Sequence, residues 1–132
     1  MRKVRVIINP NSGLSVNLSR VLNVIGRHWD REGIDLSYQV SQTKDDGARK
    51  ARNAADDGVD TVLVVVGDGM INTVGGELVG TDVALGVIPG GSGNGFARHL
   101  SIPLDWEQAA RSLAYAQRIC IDVGSVNDRP FF

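Results

Sequence analysis

The chain has 132 residues, 42% of them hydrophobic, which is enough for one domain with a buried core. Its 14 basic and 15 acidic side chains give a net charge of −1, so we expect no general electrostatic attraction to nucleic acid. A single cysteine, Cys120, excludes an internal disulfide and a cysteine-based metal cluster. With no apolar stretch near the roughly 20 residues that span a bilayer and no signal-peptide pattern, the sequence predicts a cytoplasmic protein.

Strand and helix patterns alternate along most of the chain. Stretches that are rich in β-branched residues or alternate apolar and polar residues predict strands. Apolar residues at three- and four-residue spacing, and a stretch rich in alanine and charged residues, predict helices. In chain order we expect a strand over 4–8, a helix over 18–29, a strand over 34–40, a helix over 45–57, a strand over 61–66, a helix over 71–79 and a strand over 83–88. The strand over 61–66 has no polar alternation after Thr61, as expected for a strand covered on both faces.

The last third of the chain carries further elements and then stops within a strand pattern. We expect a helix over 94–100, a helix from Trp106 through Leu113, a strand over 118–126, a turn over 127–130 and the start of a strand at 131–132. The alternation predicts an α/β fold, a three-layer Rossmann-like domain with a mostly parallel sheet. Since chains rarely end two residues into a strand, we expect this domain to cover 1–126 and a second domain to begin at 127–132.

Ligands of such sheets bind beyond the carboxyl ends of the strands, which directs attention to the turns there. Three glycine- or asparagine-rich turns follow strands, at 9–13, 67–70 and 90–94, and a fourth turn, Ser41-Gln42-Thr43, follows the second strand. Glycine lets backbone N–H groups converge on an anion, and a helix that begins directly afterwards adds its positive end. The turns at 67–70 and 90–94 both have this design and together predict a site for a polyphosphate.

Asp68, between two glycines, does not itself attract a phosphate. It could hold Mg²⁺ through water, fix the loop, or accept a proton from an attacking hydroxyl group, and Gly-Asp-Gly is also a common structural turn. The sequence lacks the GxxxxGK[ST] pattern of a P-loop, and residues 91–96 break the GxGxxG dinucleotide pattern at its sixth place. Asn9, at the end of the first strand, could contact a nucleotide or shape its turn.

The sequence resembles the catalytic-domain family of diacylglycerol kinases, bacterial lipid kinases and sphingosine kinases. The matching stretches are IINPNSG at 7–13, VVGDGMIN at 65–72, GVIPGGSGNGFARHLSIP at 86–103 and IDVGSVNDRPFF at 121–132. The resemblance covers the family's N-terminal nucleotide-binding domain and implies ATP-dependent, Mg²⁺-assisted phosphorylation of a lipid hydroxyl group. In this family a mostly β domain follows and supplies further metal-binding and catalytic carboxylates.

The resemblance also implies which residues form the nucleotide site. Asp68 is the candidate catalytic residue of this chain, and no residue here is assigned as a metal ligand. The candidate nucleotide-binding residues are Asn9, Ser41, Val66, Gly67, Asp68, Gly69, Met70, Ile71, Asn72, Gly91, Ser92, Gly93 and Asn94. The implied partners are a nucleotide and a lipid alcohol at a membrane surface, with no nucleic acid, and a homodimer is one of the assemblies allowed.

The chain departs from the usual family pattern at four positions. In place of the family's GGDGT it has Val66 and Met70 at the first and last positions, Thr73 replaces a glutamate, and Gly95 replaces an aspartate. Sphingosine-kinase-like members also carry an apolar residue after GDG and lack that aspartate, so Met70 and Gly95 do not exclude activity. Two alternatives stay open: a nucleotide-binding regulatory domain without catalysis, and a soluble kinase of the NAD-kinase type.

Overall fold

A computed structural model of the chain describes residues 2–9, 18–66, 68–89, 106–115, 124–126 and 129–131. Six strands and four helices lie in these ranges. They are β1 (Arg2–Ile8), α1 (Leu18–Trp29), β2 (Ile34–Val40), α2 (Lys44–Asp56), β3 (Thr61–Val66), α3 (Asp68–Leu78), β4 (Ala84–Pro89), α4 (Trp106–Ala114), β5 (Gly124–Val126) and β6 (Arg129–Phe131). The predicted helix over 94–100, the predicted strand residues 118–123 and Cys120 lie outside the described residues.

The first four strands form one parallel sheet in the order β2-β1-β3-β4. The α/β prediction is therefore confirmed. β3 is interior to the sheet, and Val62, Leu63, Val64 and Val65 are all fully buried, as the absence of polar alternation predicted. The predicted bounds of β2 and β3 are those observed, and β4 is shifted by one residue from the predicted 83–88.

Two apolar layers cover the two faces of the sheet. On one face, side chains of α1 and α4 pack against alternate residues of β1 and β3, with Trp29 among the largest buried side chains. On the other face, α2 and α3 pack against the intervening residues, such as Ile7, Val62 and Val64. Helix, sheet and helix thus form three layers.

Glycine at position 86 makes room for the core residue opposite it. Gly86 pairs with Leu63 across β3 and β4, and a Cβ atom at position 86 would lie 2.6 Å from Leu63 Cδ2. Leu63 is fully buried, so it has little space into which to move.

We therefore expect Gly86→Ala to lower the free energy of unfolding by about 1–3 kcal/mol through overpacking, measured by urea denaturation. Because the clash involves one side chain, Leu63→Val in the same protein should recover part of that loss. Additive effects of the two substitutions would contradict the contact as the cause.

A short antiparallel hairpin follows the sheet. β5 and β6 pair with Ser125 opposite Pro130, and β6 contacts α3. The predicted turn over 127–130 is wrong at Arg129 and Pro130, which belong to β6. Proline is tolerated there because each strand of a two-stranded sheet is an edge. The domain boundary at residue 126 stays a prediction. β5 lies before this boundary and β6 lies after it, so the hairpin pairs residues from both sides of the boundary.

Candidate functional site

The carboxyl ends of the four parallel strands lie side by side at one edge of the sheet. Ile8 of β1 is in register with Val40 of β2 and with Val65 of β3, and Val66 pairs with Pro89 of β4. The residues that follow β1, β2 and β3 therefore meet at this edge, which we call the carboxyl edge. β1 and β3 are the strands between which the connections change direction, and this is where α/β sheets bind ligands.

Helix α3 begins at Asp68, three residues before the predicted start at about position 71. The prediction of a loop over 67–70 is therefore wrong for Asp68, Gly69 and Met70, which form the first helical turn. An acidic residue at this position is favoured by the positive end of the helix dipole. N–H groups of a first turn have no acceptor within the helix, so the first turn of α3 directs donors toward the carboxyl edge.

The next two candidate residues differ in what they can offer a ligand. Ile71 is 1% exposed and packs in the core layer with Val64 and Val74, so its side chain supports the helix and its backbone alone is left for a ligand. Asn72 is exposed on α3. Thr73, the position of the family glutamate, is half-buried on the same helix. Ile71, the fourth residue of α3, thus faces the core and anchors the first turn of the helix to the sheet.

Asn9 and Ser41 follow β1 and β2 and are both buried, with 4% and 0% of their surface exposed. The Ser41 N–H donates to the Ile8 carbonyl at 2.7 Å, which extends the β1–β2 pairing by one residue. The Ser41 hydroxyl donates to the Thr43 carbonyl at 2.7 Å. Ser41 thus shapes the turn between β2 and α2 from within, while Gln42 and Thr43 are exposed at the carboxyl edge.

Five candidate residues cannot be placed with these. Gly67, Gly91, Ser92, Gly93 and Asn94 lie outside the described residues, and their role in phosphate binding stays a prediction. The backbone of β4 does end at Pro89 on the carboxyl edge, next to the end of β3. Val66 is the last residue of β3 and lies at this edge through its backbone.

The turn after β2 is held by charged residues that the sequence analysis did not single out. Asp46 Oδ2 accepts hydrogen bonds from Lys50 Nζ at 2.8 Å and from the Gln42 N–H at 3.1 Å, and Asp46 Oδ1 accepts from Arg49. Lys50 Nζ also donates to the Val40 carbonyl. These contacts, first the hydrogen bond from Lys50 and then that from Gln42, lower the pKa of Asp46 to about 2.

A pKa below the usual 3.8 makes Asp46 a source of pH-dependent stability. The contribution is fully present above the unfolded-state pKa and is lost as the pH falls through about 2. We therefore expect Asp46→Asn to lower the free energy of unfolding at pH 7, and expect the difference from wild type to shrink below about pH 4. Asp45→Asn, one residue away and outside these contacts, is the matched control. A difference that stays constant from pH 6 to pH 3 in urea titrations would contradict this assignment.

Two spacings in the sequence could have revealed this network. Thr43 and Asp46 have the three-residue spacing of a capping box, and the Asp46 N–H donates to Thr43 Oγ1 at 3.0 Å. Asp46 and Lys50 have the four-residue spacing of a helical ion pair. The contacts of Lys50 with Val40 and of Asp46 with Gln42 could not be read from either spacing, because they depend on the path of the turn.

A metal site composed entirely of residues in the described ranges is not present: no group of three His, Cys, Asp or Glu side chains is suitably placed there. Mg²⁺ in kinases is commonly held by one or two carboxylates together with substrate phosphates, and Asp68 at the start of α3 is a carboxylate of that kind. Within the same ranges, every helix is too short or too polar to cross a membrane.

Comparison with known proteins indicates the family of the chain. The family model described as diacylglycerol kinase catalytic domain matches residues 3–126. The chain is 34% identical to a diacylglycerol kinase of Bacillus subtilis, in an alignment that covers 99% of the chain and 44% of that protein. It is 38% identical to a probable lipid kinase YegS-like protein of Klebsiella pneumoniae, over 76% of the chain and 35% of that protein.

The fold is also similar to solved structures. The crystal structure of a diacylglycerol kinase from Bacillus anthracis superposes with a TM-score of 0.84 at 26% identity, covering 98% of this chain and 48% of that one. The chain thus spans less than half of the length of these relatives. Since the family model matches nearly the whole sequence, the chain belongs to the diacylglycerol kinase catalytic-domain family, whose relatives are named as lipid kinases.

Proposed function

We propose that this chain is the ATP-binding part of a lipid kinase that transfers the γ-phosphoryl group of ATP to the hydroxyl group of a lipid alcohol, of diacylglycerol or sphingoid type. The observation that carries the proposal is the meeting of the β1 end, the β2 end and the first turn of α3 at one edge of the sheet. Family membership supports the same assignment.

The first turn of α3 supplies the phosphate side of the proposed site. Phosphoryl transfer depends mainly on positioning and on stabilising negative charge, and helical N–H groups do both. The turn after β4, with Gly91, Ser92, Gly93 and Asn94, is proposed as the second phosphate contact. The backbones of four residues are proposed to bind the phosphates: Val66, Gly67, Gly69 and Met70. Met70 lacks the hydroxyl group of the family's threonine, which removes one contact and leaves these backbone contacts in place.

The ends of β1 and β2 supply the nucleoside side. β1 lies one strand spacing from β3, which precedes α3, and β2 lies two strand spacings from it. Two spacings amount to about 10 Å, a distance over which a nucleotide can extend. Asn9 would lie beneath the nucleotide, and the turn that contains Ser41 would border it. Because both residues are buried, we propose that Asn9 supports the nucleotide from below and that Ser41 supports the turn beside it.

In the proposed reaction the lipid hydroxyl oxygen forms a bond to the γ-phosphorus, the bond to the β–γ bridging oxygen breaks, and ADP leaves. The hydroxyl proton passes to a base, for which we propose the Asp68 carboxylate. Bound Mg²⁺, which Asp68 could hold through water, would offset charge on the phosphates. We propose that the protein acts in the cytoplasm, where it would meet its lipid at a membrane surface.

The proposal is tested in the full-length protein with radiolabelled ATP, Mg²⁺ and a panel of acceptors. The panel contains diacylglycerol, a sphingoid base and an isoprenoid alcohol in mixed micelles, and NAD as a water-soluble acceptor. We expect label in a lipid product. Label in NADP alone would make the protein a kinase of the NAD-kinase type.

Two further outcomes separate binding from catalysis. Calorimetric binding of Mg-ATP without transfer to any acceptor would favour a nucleotide-binding regulatory domain, as the residues at positions 66, 70 and 73 would suggest. Absence of Mg-ATP and Mg-ADP binding in the full-length protein would overturn both nucleotide-dependent functions.

A further inference from the structure

The two peptide groups that flank Ser41 are both held by one ion pair of helix α2. Lys50 Nζ donates to the carbonyl of Val40, which belongs to the peptide group before Ser41. Asp46 Oδ2 accepts from the N–H of Gln42, which belongs to the peptide group after Ser41. Lys50 and Asp46 are themselves joined at 2.8 Å. The ion pair therefore fixes the backbone on both sides of a fully buried residue at the carboxyl edge.

We infer that Lys50 and Asp46 are positioning residues for the nucleotide, which set the turn Ser41-Gln42-Thr43 against the nucleoside side of the site. The inference rests on the proposed function. Lys50 and Asp46 do not touch the ligand in this arrangement; they act through the turn.

The degree of burial supports an effect on geometry beyond that of an ordinary surface ion pair. The side chains of Lys50 and Asp46 are 22% and 13% exposed, whereas those of Arg52 on α2 and Glu77 on α3, which also form an ion pair, are 57% and 31% exposed. Solvent screens the Lys50–Asp46 pair less, and each partner also binds a backbone group with charge-assisted hydrogen bonds. The Arg52–Glu77 pair has a longer N···O distance, 3.7 Å, and joins two helices instead of the turn.

Other hydrogen bonds of the turn show how a shift would spread. The Thr43 carbonyl accepts both the Ser41 hydroxyl and the Gly47 N–H, at 2.7 and 3.0 Å. Ser41 in turn is bonded to Ile8, next to Asn9. If Lys50 and Asp46 were lost, the Ser41 N–H would keep its bond to Ile8 and the turn its helix cap. The Val40 carbonyl would lose its bond to Lys50, and the peptide group between Ser41 and Gln42 would be free to rotate. We expect the protein still to fold, and the turn Ser41-Gln42-Thr43 to change its shape beside the nucleotide.

The test is the steady-state kinetics of full-length Lys50→Met, with methionine chosen because it keeps an unbranched apolar stem. We expect the KM for ATP to rise about tenfold, equivalent to ~1.4 kcal/mol, with the KM for the lipid acceptor unchanged and kcat changed less than twofold. Lys50→Arg retains the charge and donors and should recover most of the ATP affinity. Arg52→Met, on the same helix, is the matched control and should leave the KM for ATP unchanged.

A double-mutant cycle separates positioning from general stability. If Lys50 acts through the turn, Lys50→Met should add little to the KM for ATP once Ser41→Ala has loosened the same turn, because members of one network are non-additive. Equal ATP KM values in wild type and Lys50→Met, or fully additive effects with Ser41→Ala, would overturn the inference and leave the proposed function standing. If Lys50→Met does not fold, Lys50→Gln takes its place, and an unchanged KM for ATP again overturns it. Wild-type protein that binds no Mg-ATP would instead overturn the proposed function.

Discussion

Asp68→Asn should lower kcat for lipid phosphorylation about 100- to 10,000-fold, the usual contribution of a positioned general base. Asparagine has nearly the same shape but cannot accept the hydroxyl proton and bears no charge for Mg²⁺. Residue 68 is the first residue of α3 at the carboxyl edge, so the change lies beside the proposed phosphate contacts. We expect Mg-ATP to bind with a Kd within about tenfold of the wild-type value, because the backbone N–H groups are unchanged.

The matched control is Asp35→Asn. Asp35 is exposed near the amino end of β2, at the opposite edge of the sheet, and its loss should leave kcat unchanged. Both variants are assayed in the full-length protein with saturating ATP and lipid, beside circular dichroism to verify folding. Full activity in a folded Asp68→Asn protein would remove Asp68 from the reaction and leave it as a residue that favours the start of α3.

Trp29→Ala should lower the free energy of unfolding by about 3–5 kcal/mol, the usual cost of truncating a large buried aromatic side chain. Trp29 is 1% exposed at the end of α1, and its Nε1–H donates to the Ala110 carbonyl of α4 at 2.9 Å. The Arg2 guanidinium lies 5.4 Å from the ring centre. Truncation would leave a cavity between α1 and α4 and remove the hydrogen bond from Trp29 to α4, while the Arg20–Glu107 ion pair between the two helices would remain.

Trp29→Phe separates these effects, since it keeps most of the apolar volume and removes the N–H donor. We expect it to cost about 1–3 kcal/mol, less than Trp29→Ala. Val79→Ala, at a side chain that is 49% exposed, should change stability by less than about 0.5 kcal/mol. The measurement is urea denaturation followed by circular dichroism. A cost below about 1 kcal/mol for Trp29→Ala would mean that α4 is not packed on α1 as described.

The order of the described elements and the bounds of β2 and β3 could be predicted from the sequence because they depend on local patterns. Alternation of apolar and polar residues predicted the observed bounds of β2, and a β-branched run predicted those of β3. The continuous apolar run of β3 correctly indicated burial on both faces. The apolar spacing over 18–29 predicted α1 with its observed bounds. The motifs of the sequence also indicated the lipid-kinase family, which the comparison with known proteins confirmed.

The start of α3 was harder to predict because glycine and aspartate favour turns when judged locally. In the folded chain, the buried Ile71 anchors this segment to the sheet, and Asp68 benefits from the helix dipole. Ser41 was expected near the nucleotide, and the structure adds that it is buried and bonded to Thr43. The burial of this polar residue depends on the pairing of the β2 end with β1, which the residues around Ser41 do not encode.

From the sequence come an α/β domain, a family and a set of turns that follow strands, since each depends on residues close together in the chain. The strand order β2-β1-β3-β4 comes from the tertiary structure, and with it the meeting of the β1, β2 and β3 ends at one edge. So does the space that Gly86 leaves for Leu63. These features arise from packing and hydrogen bonds between distant segments, which form once the strands have found their partners. For the same reason, Lys50 acquires its proposed role from the position of the Val40 carbonyl.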